Sequence, residues 1–301
     1  MGTQQGVYKS SLKKRIVHAI KSKTVGEQIV YTVVFLLFFF FAFSYVYMLF
    51  WTFLSGLKSH NEFVMNPFGW VQNVHWENYG QVFEFIEIEG HDFFGLLKNS
   101  LIFSIIGPFF SGMFTAMIAY VTAKYKFPGA NLLYPISVLV MTIPIYGSGG
   151  AAYKLHYNLG NINSYNILFY SWGGLGMGYL LYYTTFKSLS WEYAEAALLD
   201  GANEYQVFFL VMFPQIINMF GALYVTSWIG EWNNYSTSLI YYPKLPTIAT
   251  GLYVFERDMQ YYNRMDILFA GYFITAIPPI ALFAVFSKSL MNNVSLGGIK
   301  E

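Results

Sequence analysis

The 301-residue chain contains no cysteine, which excludes disulfides and thiolate-ligated metals. Charge is scarce: 11% of residues are Asp, Glu, Lys or Arg, against roughly 25% in a soluble globular chain. The net charge of +1 leaves no basic footprint for nucleic acid. The five histidines, His18, His60, His75, His91 and His156, are scattered without metal-ligand spacing and read as ordinary loop residues. A phosphate-binding loop is also missing. Gly56-Leu57-Lys58-Ser59 resembles its last residues but lacks the upstream glycine. The apolar runs hold no paired carboxylates and no histidine set of the kind a membrane-embedded enzyme would need.

What the chain has in excess is apolar surface, 55% hydrophobic and 21% aromatic residues. It falls in uncharged runs at 29–57, 99–123, 127–153, 157–186, 205–230 and 267–287. Each exceeds the ~20 residues that cross ~30 Å of hydrocarbon at ~1.5 Å per residue. A backbone in lipid must satisfy its own hydrogen bonds, so these runs predict an all-α membrane protein with six transmembrane helices. A seventh stretch, 232–243, is too short and too polar to span. The first run is too long for a signal peptide and is followed by no small-residue cleavage site, so it reads as a retained anchor.

Lysine and arginine in short loops set the orientation. Lys9, Lys13, Lys14, Arg15, Lys21 and Lys23 precede the first run, whereas the following loop is dominated by Glu62, Glu77, Glu84, Glu87, Glu89 and Asp92. Both termini are therefore expected in the cytosol, with 187–204 inside and 231–266 outside. Residues 1–28 form a basic amphipathic N-terminus suited to an anionic leaflet. Residues 29–301 form the membrane domain.

The polar segment between the fourth and fifth runs reads Glu192-Tyr193-Ala194-Glu195-Ala196-Ala197-Leu198-Leu199-Asp200-Gly201-Ala202. Ser190 can cap a short helix with Glu192 in its first turn. Gly201 permits the turn into the next helix. Ala194, Ala196 and Ala197 would give a slim face that another protein could approach, and a helix spanning 190–204 would act as a lever on the two runs it joins. A simple connecting loop is the competing reading.

Glu195-Ala196-Ala197, then Gly201, Val211 and Phe213-Pro214 resemble the signature loop of ABC importer permeases, with apolar replacements for its Ile and Leu. The resemblance extends over 58–300 through Asn66-Pro67-Phe68-Gly69, Trp76-Glu77-Asn78-Tyr79, Asn99-Ser100, Phe127-Pro128-Gly129, Ile143-Pro144, Trp232-Asn233 and Gly297-Gly298-Ile299-Lys300. It is greatest to the carbohydrate-uptake subgroup typified by the inner-membrane G subunit of maltose transporters. The resemblance implies a type I importer bundle with several partners: a second, usually different permease, two cytosolic ATPases that bind ATP and Mg, and an extracellular solute-binding protein. Glu192, Glu195, Ala196, Ala197, Asp200, Gly201 and Ala202 would then dock the ATPase, and this chain would need no cofactor and catalyse no reaction. Alternatives are an importer permease for a non-sugar solute and an ion-coupled secondary transporter. The latter would want a mid-membrane acid.

Substrate-path candidates lie at the end of the fifth run. Tyr224, Trp228, Glu231 and Tyr235 share a helical face, with Trp232, Asn233 and Asn234 beside them. Aromatic rings cover the C–H patches of sugars while Asn, Glu and Tyr bond hydroxyls. An interfacial aromatic belt with core packing explains the same residues equally well. Pro144, followed by Gly147, Gly149 and Gly150, suggests a broken segment, either a gate or a helix end. Pro214 is a second kink candidate. Gly174 and Gly178 have the spacing of close helix packing, and Pro278-Pro279 are expected to kink the last helix.

Overall fold

The computed structural model describes residues 24–143, 149–169 and 173–294. The basic segment 9–23, Pro144, Gly147 and the 295–301 tail lie outside the described residues. Among the described residues there is no strand beyond an isolated bridge between Ile88 and His91, and the architecture is all-α as the apolar runs predict. The chain divides into two compact units, Met1–Leu54 and Ser55–Glu301.

The first unit holds most of α1 (Val25–Gly56). Thr24 opens it by donating its backbone N–H to the Glu27 carboxylate at 2.8 Å, one half of a capping box. A ladder of rings at four-residue spacing, Phe35, Phe39, Phe43 and Tyr47, runs along one side with centroids 6.1, 6.3 and 6.1 Å apart. Nearly every large side chain on α1 is exposed. Apolar surface that continuous is stable against lipid or protein, not water.

The second unit begins with short helices α2 (His60–Met65) and α3 (Glu77–Phe85). Lys58 is fully buried here, donating Nζ–H bonds to the carbonyls of Asn66 at 2.9 Å and Pro67 at 3.0 Å. Burial holds its ammonium below the ordinary lysine value, with Glu62 opposing the shift. The Asn66-Pro67 turn thus closes over this lysine. Replacing Lys58→Met should remove the ammonium donor from both carbonyls and destabilise the unit by about 1–3 kcal/mol, read as a lower melting temperature of the purified protein.

Two long helices form the frame: α4 (Phe93–Lys124) and, after an intervening stretch, α9 (Glu204–Trp232). Between them lie α5 (Ala130–Thr142), α6 (Gly149–Asn158), a 3₁₀ turn (Tyr165–Phe169), α7 (Met177–Ser188) and α8 (Glu192–Leu199). After α9 come α10 (Tyr235–Tyr241), α11 (Ile248–Tyr261) and α12 (Met265–Val294), which runs on through Pro278-Pro279. Helix α4 packs mainly on α7 and α9, and α12 packs on α3, α9 and α11.

Four described helices are long and apolar enough to cross a membrane: α1, α4, α9 and the Met265–Ala284 part of α12. The runs 127–153 and 157–186 are not the single long helices expected. Helix α5 has 13 residues and α7 has 12, about 20 Å and 18 Å at ~1.5 Å per residue. Left-handed residues at Gly160 (φ 69°), Asn163 (φ 56°) and Gly173 (φ 63°) break the second run. Irregular backbone at that depth is tolerated where protein or a cavity receives its polar groups. Gly174 and Gly176 sit in such a segment ahead of α7, so helical small-residue packing does not apply at Gly174. Its N–H instead donates to Thr115 Oγ1 at 3.3 Å.

Candidate functional site

Helix α8 is a short rod closed at both ends by its own sequence. Ser190 Oγ accepts the Glu192 N–H at 3.2 Å. At the other end the Gly201 N–H donates to the Leu198 carbonyl and the Ala202 N–H to the Ala197 carbonyl, each at 3.0 Å. This is a Schellman motif, with Gly201 at φ +90° in the left-handed position. Asn203 then starts α9 with a full capping box to Gln206. Only Gly201 and Ala202 separate the end of one cap from the beginning of the next, so the α8–α9 angle is fixed by hydrogen bonds.

Each face of the rod has a separate role. Ala194 is fully buried, and Trp191, Ala197 and Ala202 pack beside it on a core built from Tyr120, Phe186, Val207 and Phe208. The expectation that Ala194 belongs to an outward slim face is corrected: α8 is too short for composition alone to tell its inner side. Glu192, Glu195, Ala196, Asp200 and Gly201 point outward. With them are Tyr193, Leu198 and, 89% exposed, Leu199. The knob thus exposes apolar side chains among charged ones.

The knob is tied back to α4. Lys124 Nζ donates to the Leu189 carbonyl at 2.5 Å, and the Tyr125 ring lies edge-on to Trp191 at 5.6 Å. The Tyr125 hydroxyl donates to Glu204 and lies 3.3 Å from the Tyr120 hydroxyl. Burial first, then the neighbouring Glu204 carboxylate and Tyr120, raises the Tyr125 hydroxyl above its ordinary value, so it remains a donor to Glu204 at neutral pH.

A π-helical turn, Val207–Met212, stands between the knob and the rest of α9, and Phe213 donates its N–H to the carbonyl of Phe208 across it. Pro214 follows directly. A proline ring clashes with the carbonyl four residues earlier, and the wider π turn moves that carbonyl away. The helix therefore changes pitch just ahead of Pro214.

At the far end of α4 and α9 lies a cavity of about 380 Å³. From Phe208 to Glu231 along α9 is about 34 Å at ~1.5 Å per residue, close to the thickness of a bilayer core. The wall carries Glu231, Tyr242, Phe103, His156, Ser227 and Thr237. Glu231 accepts from Asn234 Nδ2 and from the Tyr242 hydroxyl, both at 3.3 Å. Tyr242 stacks on Phe103 at 4.0 Å, and Phe103 stacks on Tyr165 at 5.5 Å. Tyr165 donates to Asn99, whose amide donates to the Pro246 carbonyl, which locks this aromatic column to the loop before α11. A second cavity of about 420 Å³ shares Pro108, Ser111 and Ser227 with the first and continues past Tyr224 to Tyr179 and Tyr182. Both fall in the range of ligand pockets, roughly 300–1,000 Å³.

The path candidates divide accordingly. Glu231 and Tyr224 line these cavities, Tyr224 also donating to the Ile105 carbonyl at 3.3 Å. Trp228 and Trp232 are buried and stacked on each other at 5.2 Å, within a core that includes Ile248, Phe255 and Ile267. Asn233 bonds the Ile229 carbonyl at 2.8 Å, Asn234 caps α10, and Tyr235 stacks on Tyr253 at 4.6 Å. His156, read as a loop histidine, is on the wall, as are Tyr242 and Ser111. No sequence signal singles them out, because their neighbours on the wall come from distant helices.

A bundle of long apolar helices with a cavity at one end and a rigid polar knob at the other has the build of a membrane transport subunit. The chain belongs to the family described as binding-protein-dependent transport system inner membrane component, whose model matches residues 109–295. It is 25% identical over 251 residues to the diacetylchitobiose uptake system permease protein of Streptomyces coelicolor, covering 82% of each. It is 26% identical over 213 residues to the arabinooligosaccharides transport system permease protein of Bacillus subtilis, covering 70% of this chain and 75% of that one. Among solved structures it resembles a bacterial ABC transporter involved in the import of the acidic polysaccharide alginate. That likeness has a TM-score of 0.70 at 19% identity and covers 88% of this chain and 98% of the other. The family places the protein in the cytoplasmic membrane of bacteria as a multi-pass component.

Proposed function

We propose that this chain is the channel-forming subunit of an ATP-driven importer for a carbohydrate, paired with a second permease and driven by two cytosolic ATPases. The observation that carries the reading is the α8 rod: rooted by Ala194 in the bundle core, locked to α9 by two successive caps, and exposing Tyr193, Leu198 and Leu199 around Glu192, Glu195, Ala196 and Asp200. An ATPase that grips this rod moves α7 and α9 together. Rigid-body switching of packed helices then alternates access to the cavity. Solute arrives from an extracellular binding protein, and ATP and Mg bind only in the partners. Carbohydrate as cargo is supported by the sugar systems to which the named relatives belong and by the aromatic and hydroxyl lining of the cavity. The test is purification of the tagged chain from its native membrane. Retention of an ATPase whose hydrolysis is stimulated by a sugar-loaded binding protein supports the proposal. A chain isolated alone that takes up solute with an ion gradient contradicts it.

Within this reading Glu231 is a hydroxyl acceptor on the solute path. Glu231→Ala should raise the KM for uptake in reconstituted vesicles by about tenfold, the equivalent of ~1.4 kcal/mol, with membrane levels unchanged. Unchanged uptake kinetics would remove Glu231 from the path.

A further inference from the structure

The cavity wall is electrically one-sided. Glu231 is a carboxylate on its inner surface, and no lysine or arginine lies on the described wall. Lys98 on α4 and Lys154 on α6 are exposed and off the wall. The segments 144–148 and 170–172 contain no Asp, Glu, Lys or Arg. The wall's nitrogen base is His156, whose ring meets Tyr241 edge-on at 5.3 Å. The two hydrogen bonds reaching Glu231, from Asn234 and Tyr242, are both long at 3.3 Å. A carboxylate offers about four acceptor sites, so Glu231 keeps capacity for donors that enter the cavity. The other polar wall groups, Ser111, Ser227, Thr237 and the tyrosines, are hydroxyls that serve neutral partners of either polarity.

We infer that this cavity selects solute by charge: it admits neutral or amino-bearing sugars and rejects uronates, with Glu231 as the discriminating group. The inference rests on the proposed solute path and specifies the substrate class along it. A carboxylate-bearing sugar would have to approach Glu231 across a few ångströms of partly desolvated space with no lysine or arginine on the described wall to offset the repulsion, whereas sugar hydroxyls, amides and ammonium groups each supply a donor. The fold alone does not decide this, since the structural neighbour above belongs to a system importing an acidic polysaccharide.

The lack of cysteine allows a test that needs no knowledge of the cargo. Ser227 lines both cavities one helical turn before Glu231. In the full transporter, with its ATPases and turning over ATP, Ser227→Cys is treated with a cationic (trimethylammonium) or an anionic (sulfonate) methanethiosulfonate of equal size. Rates are divided by those for a free thiol. The cationic reagent should react faster, and adding Glu231→Gln should lower the cation-to-anion rate ratio by about fivefold to tenfold, as expected for one charge at this range. Equal corrected rates, or a ratio unmoved by Glu231→Gln, would overturn the charge filter while leaving an open path intact. If neither reagent reacts during turnover, solute does not reach this cavity, and both the filter and the path assignment fail.

Discussion

Gly201→Val should leave the protein in the membrane at normal levels but reduce ATPase co-purification and ATP-driven uptake by about tenfold or more, whereas Gly201→Asn should stay within about threefold of the parent. The contrast follows from backbone geometry. Gly201 has φ +90°, and a Cβ placed there would meet nothing within 4 Å. Space is therefore not the constraint. The left-handed conformation is, and it costs a β-branched residue about 1–3 kcal/mol while asparagine adopts it with less penalty. Relieving the strain breaks the Ala202-to-Ala197 bond of the Schellman motif and lets α8 swing relative to α9. A mere connecting loop would absorb that swing without loss of uptake. Equal activity of the Val and Asn variants would show that the α8–α9 angle is not what the partner reads.

Leu199→Asp should weaken ATPase retention by about thirtyfold, in the range of an interface hot spot of ~2 kcal/mol, without lowering the stability of the isolated chain. Leu199 is 89% exposed at the tip of α8, so the chain's own packing gives it little to lose. Any effect on assembly must then come from a partner surface. Tyr261, 83% exposed at the end of α11, serves as the control. Tyr261→Asp should leave ATPase retention unchanged, since the proposed topology puts it across the membrane from α8. A Leu199→Asp chain that binds the ATPase normally would move the docking surface away from this tip.

Much of the frame was legible in the sequence. The runs 29–57, 99–123, 205–230 and 267–287 became α1, α4, α9 and α12 with ends extended by a few residues, because an uncharged run of that length has one stable form in lipid. The turn at Gly201 was legible because a glycine after a helix-forming stretch has a specific physical use. The runs 127–153 and 157–186 misled, since their apolar residues are shared among short helices and turns whose polar groups are received inside the bundle. The inward turn of Ala194 was not legible, as an eight-residue helix gives too few positions to define a buried stripe. The cavity was half legible. Glu231 was conspicuous as an acid beside an apolar run, and Tyr224 shared its face. Trp228 and Trp232 went to the core, where α11 and α12 cover them, and Tyr242 and His156 were brought to the wall by contacts between distant helices.

The central claim is that the α8 rod faces the cytosol and is held there by another subunit. Because the chain has no native cysteine, Glu195→Cys gives a single reactive site on the outward face of the rod. A membrane-impermeant maleimide should label it in inverted membrane vesicles and not in intact spheroplasts, and the labelling should fall when the ATPases are bound and recover when they are stripped. Labelling of Glu195→Cys in intact spheroplasts would put the rod on the outer surface and contradict the account.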